Sequence, residues 1–276
     1  MMKPMETPDQ KVLVYDDYCP LCSLYTMGFV SGKMIDARVS FSSIPEAYSR
    51  LLDVDRARHE IPYIDTESGK VYYGIDALAE ALGNRLPWLK PIILWQPIYQ
   101  PLKLLYKFVS YNRHVIIPSS RCGAAFDCSP DFNRFWRACF ILAAFALSTI
   151  LTGWFIGSFD GYVSTETMVL SGSIAGGKWA IQMVLGWCVL DEKRWLYLGQ
   201  LAATCLTGSL ILIPFAILSG GPVFFFGSLL ACIVVMIASA IIRLKAIGLS
   251  WRWPTLWLAL LAVAVGLQLT VVFNIL

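Results

Sequence analysis

The chain has 276 residues, 57% of them hydrophobic and 15% charged, whereas ordinary soluble domains run nearer ~45–50% and ~25%. That balance excludes a wholly soluble globule, and a net charge of +3 with no continuous basic stripe gives no footing for a nucleic-acid partner. Charged residues are frequent up to about Arg137 and sparse beyond it, so the front and rear need separate readings.

The opening MMKPMETPDQ is polar, with no apolar core or small-residue cleavage site, so the expectation is that no secretory signal is present and the front begins in the cytosol. Eight cysteines in a reducing setting point to catalytic, metal-binding or apolar roles rather than a disulfide framework. Lys11 to Tyr15 (KVLVY) reads as a buried strand that runs into DDYCPLCSLYTMGFV, where Leu21, Tyr25, Gly28 and Phe29 recur at helical spacing. A strand thus delivers Cys19 and Cys22 to a helix start. Unpaired backbone N–H groups and the helix dipole there stabilise a thiolate and can lower a cysteine pKa from ~8.5 to ~3.5–7.5. Cys19 is the expected attacking sulfur, Pro20 fits the first helical position, and Cys22, one turn in, is placed to resolve a mixed disulfide.

Further along, Val39 to Ser42 reads as a second strand, Pro45 to Leu52 as a helix, and Ile61-Pro62-Tyr63-Ile64 as a proline-led strand. Thr66 to Gly69 supplies a turn, Val71 to Tyr73 a hairpin partner, and Asp76 an N-cap for a helix through Leu82 that ends at Gly83. The order βαβαββα is that of a thioredoxin-like α/β domain, spanning residues 1–83. Such a plan expects a cis Ile61–Pro62 bond whose backbone lies beside Cys19 and offers an edge to a substrate.

Asp16-x-x-Cys19-x-x-Cys22 after an apolar strand, the proline strand, Gly74, the Asp76-Ala77-Leu78 helix and Tyr111-Asn112-Arg113 together resemble the DCC family of thiol-disulfide oxidoreductases. The likeness covers about residues 11 to 118. It implies a glutaredoxin-type thioredoxin fold, in some members fused to membrane segments. One departure is Asp17, where the family commonly has Gly. A carboxylate near Cys19 opposes its thiolate; alternatively, Asp16 accepts the Cys22 proton when the mixed disulfide resolves. The sequence leaves both roles open.

A C-x-x-C pair can also be half of a zinc site, completed here by Cys122 and Cys128, but their five-residue gap is longer than the usual two to four. Cys122 and Cys128 instead make a possible second redox pair. Cys139, Cys188, Cys205 and Cys232 lie in apolar helices and read as small buried hydrophobes. His59 and His114 lack partners at metal spacing and read as ordinary surface or interface residues.

Residues 84–134 read as an interfacial helical linker, in which aromatics and lysines alternate and prolines at 87, 91, 97 and 101 prevent one long helix. Its short helices are expected either along the inner leaflet or on the front domain's core. Residues 135–276 read as an all-α transmembrane bundle of five helices, near 136–157, 170–190, 195–218, 222–242 and 255–275. Trp154, Trp195, Trp251 and Trp253 fall at their ends. The second is weakest: either it starts late and Lys178 snorkels to the interface, the favoured expectation, or it buries that charge inside the bundle. No segment has a mid-span carboxylate, while Gln182, Gln200 and Gln268 are available to bond between helices. Arg134, Arg137, Lys193, Arg194, Arg243, Lys245 and Arg252 fall on alternate connections, which predicts a cytoplasmic front domain and an outside C-terminus.

The sequence therefore predicts a membrane-anchored thiol-disulfide oxidoreductase with Cys19 as nucleophile, Cys22 as resolving thiol, Pro62 shaping the substrate edge and Asp16 tuning proton transfer. The chemistry requires no bound cofactor. Partners would be a protein or small thiol or disulfide, recycled by glutathione or a thioredoxin, and membrane lipid. The alternative is a redox-sensing or transporter-like membrane protein gated by the front domain.

Overall fold

The run Lys11–Tyr15 forms strand β1, whose Val12, Leu13 and Val14 are all buried. A strand covered on both faces must be central, and the sheet order β2-β1-β3-β4 places it so, with β2 at Ala37–Ser40, β3 at Pro62–Asp65 and β4 at Lys70–Tyr73. β2 pairs parallel with β1 (Val12 opposite Ala37), β3 antiparallel with β1 (Val12 opposite Ile64), and β4 antiparallel with β3. This computed structural model describes residues 10–119, 131–158, 165–218 and 222–275, in two units, Met1–Asn133 and Arg134–Leu276.

Helices cover both faces of the sheet. On one side Leu13, Ile35, Ile61 and Tyr63 pack with Ala77 and Ala81 of helix α4 (Ile75–Arg85) and with Tyr25 and Phe29 of helix α1 (Pro20–Ser31). On the other, Val12, Val14 and Ile64 pack with Phe41 and Ala57. This is the thioredoxin-like mixed sheet that the sequence predicts.

Several details differ from expectation. The second strand ends at Ser40, and Phe41–Ser43 tightens into a 3₁₀ turn. In place of one helix after Pro45 there are two, α2 (Glu46–Ser49) and α3 (Val54–His59), because the Asp53 side chain accepts the Arg56 N–H at 3.1 Å and restarts the chain as an N-cap. Asp76 is not the cap of α4; Gly74 is, at φ 62°, a conformation that suits a residue without Cβ. α4 continues through Gly83 to Arg85.

After α5 (Leu89–Leu94) comes a single helix of 21 residues, α6 (Gln96–Ile116), rather than short pieces. Pro97 sits in its first turn, where no N–H is needed, and only Pro101 interrupts the bonding pattern. The far half of α6 belongs to the front unit: Tyr106 packs against the Leu13 cluster, and the Ser110 hydroxyl donates to the His59 carbonyl.

The rear unit holds α7 (Arg134–Gly157), α8 (Thr165–Val189), α9 (Arg194–Leu218), α10 (Pro222–Ala246) and α11 (Arg252–Ile275). Three helices among the described residues are long and apolar enough to cross a membrane: Arg134–Gly157, Arg194–Leu218 and Phe224–Ala246. α8 carries Glu166 and Lys178, and the described apolar stretch of α11, Arg252–Leu267, is shorter. Leu142, Ile150 and Leu230 are 71%, 66% and 63% exposed, apolar surface of the kind that lipid rather than water covers.

Inside the unit, Tyr197 of α9 donates its hydroxyl to the Gln182 carbonyl of α8 at 3.2 Å and accepts the Trp257 indole N–H of α11 at 2.8 Å. Its ring lies against Gly186, where a Cβ would stand 2.1 Å from a ring carbon. Gln200 accepts from Arg243 at 3.0 Å, joining α9 to α10; the Gln268 side chain lies outside the described residues. Lys193 donates to the Ile247 and Gly248 carbonyls, so the α8–α9 and α10–α11 connections meet at one end of the bundle. Lys178 does not snorkel: it is buried, its ammonium 3.8 Å from the Trp179 ring centroid.

Candidate functional site

The site forms where β1 gives way to α1. Cys19 precedes the helix with extended backbone (φ −100°, ψ 107°), Pro20 is its first residue, and the Cys19 carbonyl accepts the Ser23 N–H at 3.0 Å. Cys19 and Cys22 are both free thiols and both buried. Behind them, the Thr26 hydroxyl donates to the Cys22 carbonyl at 2.7 Å, and Arg38 donates to the Ser23 carbonyl at 2.8 Å.

The two sulfurs are electrostatically unlike. A hydrogen bond from the Cys22 thiol is the largest influence on Cys19; with the Cys22 backbone N–H and the Arg113 guanidinium it outweighs burial and the Asp16 charge, holding Cys19 down to about 6 from an ordinary 9.0. Donating that hydrogen bond, together with burial, pushes Cys22 far up. Cys19 is the sulfur that ionises.

The charge beside them comes from α6. Arg113 reaches Asp16 at 2.9 Å, with both side chains more than nine-tenths buried, and His114 lies 3.4 Å from the same oxygen. The other Asp16 oxygen accepts the Tyr18 N–H at 3.0 Å. Burial pushes the Asp16 carboxyl up, but the His114 hydrogen bond, the Arg113 charge and the Tyr18 N–H together hold it below its ordinary value. Asp17 turns away and accepts the Ser42 hydroxyl at 2.7 Å. A cavity next to Cys22 is bounded by Asp16, Tyr25, Ile61, Tyr106 and Arg113.

Pro62 opens β3 opposite Tyr73, and the Ile61–Pro62 bond is trans, not cis. The edge expected there is also engaged: the Ile61 N–H donates to the Tyr106 hydroxyl at 2.7 Å and its carbonyl accepts the Gly74 N–H. Tyr106 thus ties α6 to the segment before Pro62.

Sequence reasoning missed Tyr106 and Tyr25, which look like ordinary aromatics on helices, and gave Arg113 no role. It read His114 as an ordinary surface or interface residue; the structure sets it on Asp16, one residue beyond Arg113. The signal available was the pairing of a buried Asp16 with a distant arginine. His59 lies 3.3 Å from Asp131 and against Tyr111, away from the cysteines. Cys122 and Cys128 lie outside the described residues. Among the described residues, no group of three or more His, Cys, Asp or Glu side chains could hold a metal ion.

Residues 13–117 match the family model of DCC1-like thiol-disulfide oxidoreductases. No curated protein matches the chain, and no solved structure does.

Proposed function

We propose that the chain is a membrane-anchored oxidoreductase that works through Cys19 and Cys22, a reading supported by the match of residues 13–117 to the DCC1-like thiol-disulfide oxidoreductase family. The observation that carries the reading is the division of labour between two adjacent sulfurs, one held down to about 6 and the other pushed up.

In the reductive direction the Cys19 thiolate attacks a substrate disulfide; a Cys19–substrate disulfide forms and one substrate sulfur leaves as a thiolate, which takes a proton from solvent. Cys22 then attacks the Cys19 sulfur, and its proton passes by way of solvent to the second substrate sulfur as that leaves. The Cys19–Cys22 disulfide forms, the second substrate thiol is released, and two electrons have passed to the substrate. A small thiol such as glutathione, or a thioredoxin, would return the pair to the dithiol. The reverse sequence oxidises a substrate dithiol.

Arg113 supports the first step by lying beside the ionising sulfur. Asp16 is assigned a positioning role: a carboxylate held below its ordinary value is a poor proton store, but it fixes Arg113 at the site. Pro62 is assigned the start of the strand whose preceding residue, Ile61, borders the cavity beside Cys22. Both sulfurs are shielded from solvent, so exchange requires the cover over Cys19 to move when substrate arrives. The alternation of basic connections supports a front domain in the cytosol and a C-terminus outside.

The test is reduction of a small model disulfide by the full chain in detergent. Cys19→Ser should abolish turnover, whereas Cys22→Ser should accumulate a mixed disulfide on Cys19. Retained turnover in Cys19→Ser removes the assignment, and a bundle whose transport changes on cysteine oxidation without turnover would favour the sensor reading.

A further inference from the structure

The rear unit contains a cation that its own helices cannot neutralise. Lys178 is the fourteenth of 25 residues in α8, so at 1.5 Å per residue it is roughly 17–20 Å from either helix end. Its side chain is 8% exposed. The helices α7, α9, α10 and α11 contain no Asp or Glu, and α8 has only Glu166, 12 residues away, about 18 Å along the axis. The titratable groups that Lys178 senses are the thiols Cys205 of α9 and Cys232 of α10. An ammonium in an apolar surround without a counter-ion is costly, and the Trp179 ring offsets only part of that cost.

One turn further along α8, Gln182 is 2% exposed, and its side-chain oxygen has no hydrogen-bond partner among the described residues. Lys178 and Gln182 border the same cavity, with Thr204 of α9, Trp179 and Trp257 around them and apolar residues such as Ile237 and Leu261 of α10 and α11 completing the wall. The space, counted with its open mouth, is about 360 Å³. Two buried polar side chains thus border an apolar chamber at mid-bundle depth, where a two-chain phospholipid would have to pull its headgroup away from the interface. A single acyl chain with a carboxylate head has fewer polar atoms to desolvate there, and Lys178 offsets its charge.

We infer that this cavity binds the carboxylate of a long-chain amphiphile, with Lys178 as its counter-ion and Gln182 turning its carboxamide to donate a second hydrogen bond. Trp179 and Trp257 flank the head, and the chain runs out between α10 and α11. The site is independent of the cysteine chemistry.

Radiolabelled oleate is the probe, added to the full chain in nanodiscs of zwitterionic lipid. Binding should saturate at one per chain, be displaced by unlabelled oleate and resist methyl oleate, which has the same chain without the charge. Lys178→Met should weaken binding by about 10- to 100-fold, the range set by losing a charged hydrogen bond, and Lys178→Arg should restore most of it. Lys178→Met removes a costly buried charge, so its elution should match the parent chain and its melting temperature should be no lower; if it fails to fold, Gln182→Leu, with an expected loss of about 3- to 10-fold, carries the test. Equal displacement by methyl oleate, undiminished binding in both variants, or stronger displacement by an uncharged alkyl quinone or by a monoalkyl phosphate would each overturn the carboxylate assignment.

Discussion

At the scale of single residues, the buried Arg113–Asp16 pair sets the character of the site. Removing one partner of a buried pair typically costs roughly 3–5 kcal/mol, because the other charge is left alone. Arg113→Met should therefore weaken the front domain by an amount of that order, read as faster amide exchange across α6, and should also raise the pH at which Cys19 ionises. Asp16→Asn should weaken the fold too, yet move Cys19 ionisation the other way, since an opposing charge is gone. The signs of the pH dependence follow. Asp16 is held below its ordinary value, so its contribution is complete above an unfolded value of about 3.9 and is lost as pH falls through the folded one. Cys19 is held down to about 6 from 9.0, so the dithiol gains stability as pH rises from about 6 toward 9 and loses it below. A favoured dithiol makes the couple more oxidising than two unperturbed thiols.

Among the elements, α6 links the sequence distance between Arg113 and Asp16 to their contact. Its Tyr106 hydroxyl holds the Ile61 N–H, and Tyr106→Phe should leave that donor unsatisfied at a cost of about 1–3 kcal/mol, seen as faster exchange at Ile61 without loss of Cys19. The strands β1 and β3 and the helix start at Cys19 were legible because their apolar runs and the proline have local causes. The long helix α6 was not, since its prolines argue locally against it and only packing of Tyr106 and Ser110 on the front domain decides otherwise. The Asp53 cap, which splits the second helix, is by contrast a local signal that the reading of one helix after Pro45 passed over. In the rear unit the close approach at Gly186 leaves no room for a Cβ beside Tyr197. Gly186→Ala should lower the melting temperature of the full chain in detergent, at an overpacking cost of about 1–3 kcal/mol.

Across the whole molecule, composition announced the division into a polar front and an apolar rear, and hydropathy located the five rear helices. For Lys178 the sequence favoured the wrong one of two readings: an isolated lysine in a weakly apolar helix looks like an interfacial residue, and only the packing of the bundle around it decides for burial. The meeting of the α8–α9 and α10–α11 connections at Lys193 fits alternate crossing, and the basic residues on those connections predict their side. An alkaline phosphatase fused after Leu276 should be active, while one fused at the α8–α9 connection should not.

The oxidoreductase function rests on the ionisation of one sulfur. The direct measurement is the rate of iodoacetamide alkylation at Cys19 in the reduced full chain between pH 4 and 10, followed by peptide mass. The account predicts a midpoint near 6 at Cys19, shifted upward in Arg113→Met, with Cys22 unreactive throughout. A midpoint near 9, or alkylation that begins at Cys22, would contradict it.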